Sequence, residues 1–173
     1  MKKIDTITIT SRQVVLLNAL GMVLLFGGII AFNILFDTSN SGLAPWGLIG
    51  VYAATIILHE FTHGIGFMLN GARPTFGAGI EGMMPYCYAT SRTKLSVHAM
   101  LLVAYLPIVM LSVVFITLAY LLPDYQSWCM GGFLANLGGS IGDLWIASKT
   151  WKYRTRDDIM VLDTKTGVEI YVA

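Results

Sequence analysis

Four stretches of this chain, residues 14–36, 46–69, 96–122 and 128–148, are each long and apolar enough to cross the roughly 30 Å hydrocarbon core of a bilayer. In lipid a backbone must satisfy its own hydrogen bonds, so single segments of this length fold as helices. The expected fold class is therefore an all-α membrane protein with four transmembrane helices. Composition agrees, with 55% hydrophobic and 12% charged residues, about half the charged share of a typical soluble domain. The fourth stretch is the least apolar, because Asn136, Asp143 and five glycines fall within it. Trp46, Tyr120, Tyr125, Trp128, Trp151 and Tyr153 sit near span ends, as interfacial anchors do.

Positive charge sets the orientation. Lys2, Lys3 and Arg12 precede the first span, and Arg73, Arg92 and Lys94 lie between the second and third. Lys149, Lys152, Arg154 and Arg156 follow the fourth, whereas the loops at 37–45 and 123–127 carry no Lys or Arg. The positive-inside rule then places both termini and the middle loop in the cytoplasm of an integral protein of the cell membrane. The Met-Lys-Lys start is like that of a signal peptide. The apolar run after Arg12 is too long for one, however, and no small-residue cleavage site follows, so it reads as a permanent anchor. Residues 1–149 form the expected membrane domain and 150–173 a cytoplasmic tail. In the tail two β-prone runs flank residues 163–167, the signature of a short C-terminal hairpin. The middle loop, 70–95, is rich in Gly, Tyr, Thr and Met. It fits either a β-hairpin over 76–88 that dips into the membrane or a plain surface loop. A net charge of +1 without a basic patch excludes nucleic acid as a partner. Cys87 and Cys129 fall on opposite sides of the membrane and are not expected to pair.

Within the second span runs His59-Glu60-Phe61-Thr62-His63. Residues four apart share a helix face, so both imidazoles can reach one metal ion. Glu60 lies on the adjacent face, where it can accept a proton from water without being a ligand. Ionisable side chains are costly in hydrocarbon, so their clustering there marks a functional site. A catalytic zinc site takes three protein ligands and keeps one position open. Asp143 is the leading third ligand, being the only acid within a span besides Glu60. From the cytoplasmic ends of their spans, His59 lies about 15 Å deep and Asp143 about 9 Å, a difference of about one helical turn. His98, at the start of the third span, and Glu81, in the middle loop, are weaker candidates. Gly138 and Gly142 form a small-xxx-small pair, with Gly64 and Gly66 as matching relief beside the histidines. Pro107 leaves Val103 without its helical donor, and a kink with a path for water or a packing irregularity is expected there.

Taken together these residues resemble the "putative zincin peptidase" family of small integral membrane proteins, relatives of the site-2 proteases. The stretches that carry the resemblance are His-Glu-Phe-Thr-His-Gly at 59–64, Pro-Thr-Phe-Gly at 74–77 and Pro-Tyr-Cys-Tyr-Ala-Thr-Ser at 85–91. Leu-Pro at 106–107 and Asn-Leu-Gly-Gly-Ser-Ile-Gly-Asp at 136–143 complete the set. The chain departs from site-2 proteases in having Gly139 and Leu144 where those carry Pro and Gly. The resemblance implies His59, His63 and Asp143 as ligands of one zinc ion and Glu60 as general base. Asn136 is a candidate substrate-binding residue. The expected activity is hydrolysis of peptide bonds in membrane-spanning or membrane-adjacent protein or peptide substrates. The rivals are a non-catalytic metal-binding regulator and a membrane peptidase acting on cytosolic or prenylated peptides.

Overall fold

The computed structural model describes residues 1–36, 45–81 and 84–173. The protein is mostly helical. Its long elements are α1 (Ser11–Phe36), α2 (Pro45–Leu69) and α3 (Val97–Leu121), followed by the shorter α4 (Gln126–Gly139) and α5 (Ile141–Thr150). Three helices, Ser11–Phe36, Trp46–Leu69 and Val97–Leu121, are long and apolar enough to cross a membrane. Their outward surfaces carry exposed Leu16, Val23, Ile30, Ile57, Val109 and Ile116, apolar faces suited to lipid. The expected loop at 37–45 lies largely outside the described residues.

The fourth expected span is not a single helix. It breaks at Ser140, whose hydroxyl donates to the Asn136 carbonyl at 2.8 Å and competes with the backbone for that acceptor. Gly138 and Gly139 immediately before it weaken the helix further. Backbone bonds from Ser140 to Asn136 and from Leu144 to Ser140, both 2.9 Å, still carry the chain onward through the irregularity.

Nor is the fold all-α. The tail hairpin is present as β5 (Ile159–Thr164) and β6 (Gly167–Val172), joined antiparallel. It belongs to a four-stranded sheet with the order β1-β6-β5-β4, in which β1 is Lys2–Thr8 and β4 is Leu95–Ser96. The N-terminal strand was not anticipated, although Ile4, Thr6, Ile7 and Thr8 are β-branched and favour one. The middle loop forms a two-stranded hairpin of β2 (Pro74–Glu81) and β3 (Met84–Ser91), packed against α2.

Two side-chain devices start the helices beside the sheet. Thr10 and Gln13 cap α1 reciprocally: the Gln13 side chain accepts from the Thr10 N–H at 2.9 Å and the Thr10 hydroxyl from the Gln13 N–H at 3.4 Å. Ser96 caps α3 by accepting from the Ala99 N–H. The main core joins sheet to helices: Ile159, Val161, Val168 and Ile170 pack against Phe67, Val97, Met100, Leu101 and Ala147. A smaller core holds α1 to α4 through Leu25, Leu134 and Ala135. The helix-packing glycines pair differently from expectation. A Cβ at Gly138 would lie 2.9 Å from the Gly21 carbonyl oxygen, so Gly138 admits α1 rather than α2. Gly66 faces Val103, Gly64 faces the Phe76 ring, and Gly142 faces open space.

Candidate metal centre

One turn of α2 separates His59 from His63, and both side chains are buried. Asp143, in the first turn of α5, projects between them. Its Oδ2 lies 3.0 Å from His59 Nε2 and 3.3 Å from His63 Nε2, and the two Nε2 atoms are 3.1 Å apart. An ion held tetrahedrally at zinc–ligand distances of about 2.0–2.1 Å would keep its ligand atoms roughly 3.3 Å from one another. The three donors therefore fit such an ion, and among the described residues they form the cluster that could hold one.

Each imidazole is oriented from behind. His63 Nδ1 is 2.9 Å from the Val103 carbonyl. Pro107 has no N–H, so that carbonyl lacks its ordinary helical donor and is available to the histidine. The second ring is held by Asn136, whose Oδ1 is 3.1 Å from His59 Nδ1. The Asn136 amide in turn donates to the Pro107 carbonyl at 3.2 Å. With both Nδ1–H groups engaged, both Nε2 lone pairs face the shared point, the tautomer a metal requires. One proline thus sits behind both ligands.

Asn136 is 0% exposed, with its Oδ1 on His59 and its amide N–H on the Pro107 carbonyl. In this arrangement it orients His59. Glu60 lies beside the trio, against the backbone N–H of Ala89 in β3. His98 is exposed at the start of α3, away from the cluster, and the Glu81 side chain lies outside the described residues. Cys87 and Cys129 are free.

The cluster opens into a cavity of about 510 Å³. Tyr52 and Thr55 line it seven and four residues before His59, on the same helix face. Sequence reasoning passed over them, though that spacing was the signal. Tyr86, Tyr88 and Ala89 of β3 form one wall and the β5–β6 turn another. Asp163, at that turn, was also missed. Burial pushes its carboxyl up to about 7, against the opposing pull of the nearby Thr90 hydroxyl.

A family model described as "Putative zincin peptidase" matches residues 52–156, more than half of the chain, and the chain belongs to that family. Among curated proteins and among solved structures nothing matches.

Proposed function

We propose that this member of the family is a membrane-embedded zinc metalloendopeptidase of the His-Glu-x-x-His type, holding one ion per chain on His59, His63 and Asp143. The observation that carries the reading is the mutual 3.0–3.3 Å spacing of two imidazole nitrogens and one carboxylate oxygen, with both imidazoles braced from behind. When bound, zinc acidifies a coordinated water and polarises a carbonyl. Glu60 accepts a proton from water and returns it to the leaving amine nitrogen as the peptide bond breaks. The Ala89 N–H steadies the Glu60 carboxylate. β3 pairs with β2 on one side. Its other edge borders the cavity and suits an extended peptide bound by main-chain hydrogen bonds.

Four membrane crossings are supported by parity. β1, β4, β5 and β6 share one sheet, so each pair of helical segments between them makes a return journey. α1 and α2 form the first return. α3 with the broken α4–α5 unit forms the second, and at 1.5 Å per residue that unit is roughly 36 Å long. The charge distribution supports a cytoplasmic sheet and cytoplasmic termini. Substrates are then membrane-spanning or membrane-adjacent peptides, as the resemblance to site-2 proteases implies. α1 leans on α4 and α5 rather than on α2. Their two faces flank the cavity, a route for such a segment from lipid.

Metal analysis of purified protein tests the reading. Wild type should hold one equivalent of zinc, and His63→Ala and Asp143→Ala should hold little. Unchanged zinc in Asp143→Ala would remove that residue from the ligand set, and no zinc in wild type supplied with it would end the proposal.

A further inference from the structure

Asp163 occupies a position that strand geometry assigns to the interior. Successive side chains alternate across a sheet, so Asp163 shares a face of β5 with Ile159 and Val161. Those two are 1% and 0% exposed in the main core. Its register partner on β6, Val168, is buried too. A carboxyl group at the end of an apolar stripe costs stability unless something there uses it. The turn does not need it: Thr164 and Gly167 close the hairpin around Lys165 and Thr166, with the Thr164 hydroxyl donating to the Gly167 carbonyl at 2.8 Å.

The stripe ends at the cavity that holds His59, Glu60, His63 and Asp143. Along its β3 wall the Ala89 N–H faces Glu60 and the Thr90 hydroxyl faces Asp163. Glu60 comes from a membrane helix and Asp163 from the C-terminal hairpin, yet adjacent residues of one strand face both. Lys165 lies over the Tyr88 ring at 5.1 Å and ties the turn to the same strand. A slot lined by a β-edge and a carboxyl group is suited to a peptide, whose N–H groups need acceptors on leaving water.

We propose that Asp163 is a substrate-binding residue, its carboxyl accepting hydrogen bonds from N–H groups of a peptide lying in the cavity, between the metal-centre helices and the wall made by β3 and the β5–β6 hairpin. The proposal rests on the peptidase reading above and extends the site beyond the membrane helices to the cytoplasmic sheet.

Binding of two probes to the zinc-loaded full-length protein in detergent tests it. Acetohydroxamate engages the metal alone, and acetyl-dileucine hydroxamate adds a peptide. Asp163→Ala should bind the dipeptide probe about tenfold more weakly, the scale of one hydrogen bond to a charged group. It should bind acetohydroxamate and zinc as wild type does. Asp163→Asn keeps an acceptor oxygen and should stay within about threefold of wild type. Asp163→Leu, which continues the apolar stripe, replaces Asp163→Ala if that variant folds poorly. Equal dipeptide binding by wild type and the acceptor-free variants would overturn the proposal, as would equal weakening of both probes. Failure of wild type to bind either probe would overturn the peptidase reading and this proposal with it.

Discussion

His63 donates its Nδ1 proton to the Val103 carbonyl at 2.9 Å, and Pro107 keeps that carbonyl clear of a helical donor. The proline therefore acts on the site through the backbone of another helix. Pro107→Ala restores an N–H that competes for Val103. Zinc affinity should fall about tenfold, the lower end for loss of a partner behind a metal-bound histidine. The protein should melt no lower than wild type, because α3 gains a hydrogen bond. Competition with a chromophoric chelator reads the affinity, and unchanged affinity would show that Val103 is not the brace.

Asn136→Ala should be harsher. It leaves both the Pro107 carbonyl and His59 Nδ1 without the partners they have now. Each buried orphan costs about 1–3 kcal/mol, and zinc affinity should drop about 10- to 100-fold. Thermal unfolding with and without added zinc separates the two losses. A variant that melts like wild type and keeps its metal would contradict the geometry.

Glu60→Gln should hold zinc as wild type does while peptide cleavage falls about 10²–10⁴-fold. The same variant distinguishes the peptidase from a metal-binding regulator, in which the substitution would be silent. Cleavage of a membrane-anchored reporter peptide, measured beside metal content, is the readout.

Gly138→Ala places a methyl group 2.9 Å from the Gly21 carbonyl oxygen, a backbone atom that cannot rotate away. Forcing α1 from α4 should cost about 1–3 kcal/mol. Gly27→Ala, where a Cβ meets nothing within 4 Å, is the control and should be neutral or slightly stabilising. Melting temperatures in one detergent decide it.

Asp5 ties β1 to the turn that follows α5, accepting from the Tyr153 hydroxyl at 2.6 Å and Lys152 Nζ at 3.0 Å. The Tyr153 and Lys152 hydrogen bonds hold its carboxyl below the usual value of 3.8. The folded chain thus binds this proton less readily than the unfolded one, so the tie is whole above pH 3.8 and is lost as pH falls through the lower folded value. Amide exchange along β1 should accelerate in that acid window in wild type. In Asp5→Asn exchange should be faster at neutral pH, with a smaller acid step. Identical profiles would remove Asp5 from the docking of β1.

What the sequence made legible follows from the range of each signal. Apolar length is local, and it marked the helical segments. The His59–His63 spacing is local too, and the rarity of acids in apolar spans was enough to single out Asp143. β1 depends on a partner about 160 or more residues away, so its few β-branched residues carried little weight next to a long hydrophobic run. Asp163 looks like a solvated turn residue until the register of β5 shows which face it occupies. The role of Val103 has no signature at all, since the acting group is a carbonyl. Pro107 was the visible half of that device. Gly138 advertised close packing, but a small residue does not say which helix it admits.

The sheet that walls the cavity takes β1 from before the first helix and β6 from after the fifth. β1 is made early and must wait for all five helices to be made before its mate appears. Until β5 and β6 emerge, the nascent chain carries both histidines and the aspartate yet lacks the β5–β6 wall of their cavity.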